Sequence, residues 1–159
     1  MTTQTQDMSV RAQIVVDVPI EHAFAAFTAG TVTWKPPEHN LLEVEIAETV
    51  FEPHKGGYVY DRGVDGSECR WARVLIYEPP HRVVLSWLIN PQWRIETDAS
   101  KTSEVEVRFI AEATERTRVE IEHRNLERHG DGWEGLREAV GAPDGWPLYL
   151  RRFSDGLAV

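Results

Sequence analysis

Residues 104–111 read EVEVRFIA, residues 114–117 read TERT, and residues 118–123 read RVEIEH. In the first run Val105, Val107, Phe109 and Ala111 fall on one side of a two-residue period, with Glu104, Glu106 and Arg108 on the other. In the last, Val119, Ile121 and His123 alternate with Arg118, Glu120 and Glu122. Successive side chains of a strand point to opposite faces, so each run predicts a strand with one buried face. The polar turn between them makes the pair an antiparallel hairpin.

Upstream of this hairpin the chain reads as further strands. Val83 to Ile89 is apolar almost throughout, as a strand buried on both faces. Glu68 to Tyr77, Tyr58 to Arg62 and Val44 to Phe51 are separated by Pro79-Pro80, by Gly63-Val64-Asp65-Gly66 and by Pro53 with Gly56-Gly57, all turn signals. Residues 90–103 form a longer loop carrying Trp93. Val10 to Val18 alternates, with Ala12, Ile14, Val16 and Val18 on one face. Pro19 then opens a helix marked by Ile20, Ala23, Phe24 and Phe27 and ending near Gly30. Pro36-Pro37 limits whatever helix follows. Helical spacing returns at Trp133, Leu136 and Val140, breaks at Gly141 to Gly145, and resumes at Trp146, Tyr149, Leu150, Phe153 and Leu157. This order predicts an α+β fold: one curved antiparallel sheet with helices on one face. Residues 10–158 are expected to form a single domain, and residues 1–9 a flexible N-terminus.

The chain has 159 residues, 42% of them hydrophobic and 27% charged, ordinary values for one globular domain. A net charge of −9 argues against a nucleic-acid backbone as partner. No apolar stretch approaches the length of a membrane span, so no membrane insertion is expected. The start, Met-Thr-Thr-Gln-Thr-Gln-Asp, has neither a basic region nor an apolar run, and the lone Cys69 excludes an internal disulfide; both point to the cytoplasm.

A sheet curled around a helix leaves a concave, mostly apolar gap in which a small molecule can bind. Period-two counting turns Tyr58, Tyr60, Arg62, Trp87 and His123 inward, with Val83, Leu85 and Ile89. Trp146, Tyr149 and Phe153 face them from the last helix, Trp71 lies on a neighbouring strand, and Trp34 and Trp93 sit where they would close the two mouths. These aromatics are candidate ligand walls; packed core is their plainer reading. Arg62 is a candidate anchor for a ligand carboxylate. His123 is the one candidate catalytic base, because its ordinary pKa lies near neutrality; a hydrogen-bonded core histidine is the alternative. A one-residue slip of register would invert every inward assignment on the early strands.

Other motifs fail on context. Gly130-Asp131-Gly132-Trp133-Glu134-Gly135 fits G-x-G-x-x-G, but too little chain follows for a dinucleotide fold. The histidines and Cys69 lack metal-ligand spacing, so neither metal nor cofactor is expected. No strained nucleophile elbow is present, and Glu120 and Glu122 fall on the solvent face.

Several short motifs occur in a telling order: Glu52-Pro53-His54-Lys55-Gly56-Gly57; Asp65-Gly66-Ser67-Glu68; Trp71-Ala72-Arg73-Val74-Leu75; and Glu78-Pro79-Pro80 through Ser86-Trp87. Ser103-Glu104-Val105 with Phe109, Thr117-Arg118-Val119 with Glu122-His123, and Gly145-Trp146-Pro147 complete the set. Together they resemble the START-like, birch-pollen-allergen-like (SRPBCC) superfamily, in the branch of the activator of heat-shock protein 90 ATPase. The resemblance covers residues 10–157 and implies a helix-grip fold, in which a sheet of about seven strands wraps around a long C-terminal helix. Ala72 stands where the pattern usually has glycine, and Lys35 where relatives often carry a second tryptophan. The superfamily includes lipid and hormone binders, polyketide cyclases and co-chaperone domains, so resemblance alone does not select an activity.

The leading expectation is a module that binds a small apolar or aromatic molecule. A cyclase, dehydratase or hydrolase using the same cavity is the alternative. Regulation of a chaperone ATPase is a third reading, disfavoured because the outward strand positions are charged and the chain has no room for the second domain of the eukaryotic activator. A homodimer through an acidic edge strand is left open.

Overall fold

The computed structural model describes residues 8–157. The expected flexible N-terminus therefore lies outside the described residues up to position 7, as does residue 158. Seven strands form one antiparallel sheet: β1 (Val10–Val16), β2 (Ile46–Phe51), β3 (Tyr58–Gly63), β4 (Glu68–Glu78), β5 (Arg82–Trp87), β6 (Ser103–Ala113) and β7 (Arg116–Arg124). Their order across the sheet is β1-β7-β6-β5-β4-β3-β2. The helices are α1 (Ile20–Ala29), α2 (Thr31–Trp34), α3 (Trp133–Gly141) and α4 (Trp146–Leu157). This is the α+β helix-grip architecture, with its C-terminal helical segment interrupted at residues 142–145.

The β6–β7 hairpin has the anticipated register, with Val105 opposite His123, Val107 opposite Ile121 and Phe109 opposite Val119. Its strands run to Ala113 and Arg116, leaving a turn of two residues rather than four. β5 is buried on both faces from Val83 to Trp87. The sheet curls because its ladders slip: Val59 pairs with Ala72 but Tyr60 with Arg70, and Val74 pairs with Leu85 but Ile76 with Val84. Trp71 and Leu75 are the extra residues, and such bulges bend a strand and increase its twist.

The concave face carries Val59, Trp71, Val74, Val83, Leu85, Trp87, Val105, Val107, Phe109, Val119 and Ile121, all buried. Phe24 and Phe27 of α1, Trp34 of α2, Leu136 and Val140 of α3, and Trp146, Leu150 and Phe153 of α4 cover it. The convex face is a lattice of arginine and glutamate. Arg124 reaches Glu104 and Glu106, Arg82 reaches Glu78 and Glu106, and Arg108 reaches Glu120 and Glu122. Burial alone would raise the Glu106 carboxyl; hydrogen bonds from Arg124 and Arg82 outweigh it and hold the group below its ordinary value.

Three inward assignments are corrected. Tyr58, Tyr60 and Arg62 lie on the convex face: Arg70 and Arg73 stack on Tyr58, and Arg62 meets Tyr60, Glu48 and Glu68. The residues between them, Val59 and Asp61, are 0% and 2% exposed. The phase inverts because an aspartate occupies the apolar face, a position open to it only through the buried Lys35. Arg62 is therefore no anchor for a molecule in the concavity.

Candidate functional site

Three irregular segments meet over the β4–β5 part of the concave face. The first is the chain after α2, from Lys35 to Leu41, which Pro36-Pro37 keeps from continuing the helix. The second is the tight turn between Ile89 and Ile95, which form a bridge; Trp93 within it has a left-handed φ of 61°. The third is the 142–145 break, where Gly145 passes so close to α3 that an added Cβ would lie 2.2 Å from the Val140 carbonyl oxygen. Between them and the sheet lies a pocket of about 320 Å³. Trp71, Trp87, Trp93, Trp146 and Tyr149 supply most of its aromatic wall, with Ile89, Leu41 and Val140.

The rings are ordered. Trp71 meets Trp87 at 5.6 Å and 66°, Trp87 meets Trp146 at 5.4 Å and 64°, and Trp146 meets Tyr149 at 5.2 Å and 70°. Trp34 closes the circle behind them, 6.0 Å from Tyr149 and 6.3 Å from Trp71. Edge-to-face pairs of this kind add about 0.5–1.5 kcal/mol each beyond their burial, which favours the mutual orientation of these rings.

Polar groups at the edge of the aromatic wall define the chemistry. The Lys35 ammonium donates to the His39 carbonyl and to Asp61 Oδ2, both at 2.6 Å, and Thr49 donates to Asp61 Oδ1 at 2.8 Å. His39 Nδ1 and the Tyr149 hydroxyl are 2.8 Å apart, and burial raises the Tyr149 phenol above its ordinary value. Glu38 and Asp144 stand exposed at the rim.

Trp71, Trp87, Trp93, Trp146 and Tyr149 thus converge on one cavity. Trp34 does not close a mouth: it is 1% exposed, stacks on Phe27 at 4.5 Å, and donates its indole N–H to the Phe27 carbonyl. Phe153 is also core, packed edge-on against Phe27. Tyr58 lines a different cavity, on the convex face, with Arg70, Arg73, Glu104 and Arg128.

His123 lies behind the pocket wall, fully buried. The Trp146 indole N–H can only donate, so His123 Nδ1 accepts it, at 3.1 Å. Neutral His123 then carries its proton on Nε2 and donates to Ser103 Oγ at 2.7 Å, and Ser103 donates to His129 Nε2 at 2.7 Å. That leaves the proton of His129 on Nδ1, a buried atom without a partner among the described residues. Burial first, and then His129, pull the His123 pKa down to about 3. With both nitrogens engaged, His123 orients Trp146 and is not placed to act as a base on a pocket ligand.

Sequence reasoning missed Lys35, His39 and Asn40 as lining residues. The segment has no period to read.

The family model described as activator of Hsp90 ATPase homolog 1-like protein matches residues 17–158. Among solved structures, Txn09, an anthrahydroquino-γ-pyrone synthase, is 39% identical, with a TM-score of 0.66 over 92% of this chain and 95% of that one. CalC from Micromonospora echinospora, a self-sacrificing resistance protein, is 27% identical, with a TM-score of 0.68 over 94% of each chain. Protein NE0264 from Nitrosomonas europaea shares the fold at 14% identity and a TM-score of 0.66, over 97% of this chain and 96% of that one. No curated protein matches by sequence.

Proposed function

We propose that this chain, which belongs to the activator of Hsp90 ATPase homolog 1-like family, binds a planar aromatic small molecule between Trp71, Trp87, Trp93, Trp146 and Tyr149. The observation that carries this reading is an open pocket of about 320 Å³ whose aromatic wall is braced by ring contacts on the side away from the cavity. Core rings pack to exclude space; here five leave it, in the size range of ligand pockets. The likeness to a synthase of a fused aromatic product supports the choice of a planar polycyclic ligand. Native mass spectrometry followed by denaturing extraction tests it. A discrete extra mass that leaves on denaturation, or a raised melting temperature with planar aromatics such as 9-fluorenone, is expected. A bare mass with no thermal shift across such compounds would overturn it.

A second reading, catalysis in the same pocket, is favoured by the His39–Tyr149 pair. In the tautomer that leaves Nδ1 bare, Tyr149 takes a proton from a ligand hydroxyl as it passes its own to His39. Tyr149→Phe breaks that relay while keeping the ring. Loss of turnover with unchanged binding supports this reading, and unchanged turnover contradicts it.

A further inference from the structure

We infer that the pocket selects an aromatic ligand bearing a carbonyl or phenol oxygen, and that Lys35 is the residue that recognises it. This rests on the proposal that the pocket is a ligand site. Lys35 is 6% exposed and lines the cavity. Its ammonium has three N–H donors, and the His39 carbonyl and Asp61 Oδ2 take two of them. Among the described residues the third has no oxygen or nitrogen acceptor; the ring of Trp71 lies 5.7 Å from Nζ. Thr49 fixes the far oxygen of Asp61, so the ion pair holds the ammonium in place.

The surrounding wall has the same imbalance. The indole nitrogens of Trp71 and Trp87, both lining residues, are buried without an acceptor, whereas those of Trp34 and Trp146 are satisfied. Buried donors without acceptors are rare in folded proteins. The acidic groups that line the pocket, Glu38 and Asp144, are exposed at its rim. The unpartnered polar atoms of this wall are donors, and for Lys35 a ligand oxygen supplies the missing acceptor. Asp61 already neutralises Lys35, and the chain carries a net charge of −9, so a free anion gains little by entering. A neutral oxygen gains a hydrogen bond from a charged donor, roughly twice as strong as one from a neutral donor.

The test compares 9-fluorenone with fluorene, planar tricycles that differ in one carbonyl oxygen, by quenching of tryptophan fluorescence. Fluorenone is expected to bind about tenfold more tightly, a difference of about 1.4 kcal/mol. Lys35→Met alone would strand the Asp61 carboxylate in the core, so the variant to use is Lys35→Met with Asp61→Leu, which removes both charges together. There the preference is expected to fall to near unity. A preference that survives in this variant would overturn Lys35 as the recognising group. If the double variant does not fold, the infrared carbonyl stretch of fluorenone bound to the unaltered protein decides. A frequency below the hexane value supports the inference, and an unshifted one overturns it. Equal affinity for the two probes overturns the inference and leaves the ligand site standing; binding of neither overturns both.

Discussion

The concave face is aromatic at both ends, and only one end is filled. Under α1, Phe24 and Phe27 meet Phe109 at 5.1 and 5.7 Å, Phe153 meets Phe27 at 5.7 Å, and Trp34 stacks on Phe27. At the other end Trp71, Trp87, Trp146 and Tyr149 stand 5.2 to 5.6 Å apart along their chain of contacts, yet they surround a cavity. Ring type and spacing do not distinguish the two. The covering backbone does. α1 is an unbroken helix whose Phe24 and Phe27 project from one face onto the sheet. The pocket end is covered by a proline-stopped segment, a turn with a left-handed tryptophan, and the interruption between α3 and α4. An unbroken helix presses its side chains into the sheet, and irregular segments stand off from it.

Removing a ring from each end breaks or sharpens this contrast. Phe27→Ala is expected to cost about 3–5 kcal/mol in denaturant unfolding, as for large aromatic deletions in a dry core, and to leave fluorenone affinity unchanged. Next in size is the acid response of the network that braces Trp146. Folded His123 stays neutral down to about pH 3, while the unfolded chain takes up that proton near 6.5. The unfolded state binds more protons between those values, so stability is full above pH 6.5 and falls as the pH drops, by about 3 kcal/mol at pH 4. His129, also lowered by burial, acts in the same direction. His123→Gln can accept from Trp146 and donate to Ser103 without titrating, and urea titrations from pH 7 to 4 should show a flatter loss. An equal slope would remove His123 from this role.

Trp93→Ala reverses the pattern of Phe27→Ala. Trp93 is 51% exposed, so stability should stay within about 0.5 kcal/mol while fluorenone affinity falls several-fold by fluorescence titration. Tyr58→Ala, on the convex face, should leave that affinity unchanged.

The same contrast explains what was legible in the sequence. The hairpin of β6 and β7, the doubly buried β5 and the α1 stripe were readable because one period runs through each without interruption. β3 was read in the wrong phase because its polar inward residue, Asp61, is compensated by Lys35, 26 positions earlier. No local pattern contains that pair. Strand phase turns Trp87 toward the concavity and helical spacing turns Trp146 and Tyr149, but the same reading places Trp34 at a mouth, because nothing local shows that Phe27 stacks on it. Lys35 and His39 lie in an aperiodic segment whose place over the sheet is set by the rest of the fold.

On the proposed reading the Trp71–Trp146 end takes a ligand and the Phe27 end does not. The most direct measurement is the ¹⁵N–¹H spectrum of the tryptophan indoles during titration with 9-fluorenone. The largest shifts are expected for Trp71, Trp87, Trp93 and Trp146, with Trp34 and Trp133 nearly still. Shifts of Trp34 and Trp133 as large as the others, or no shift at any of the tryptophans, would contradict it.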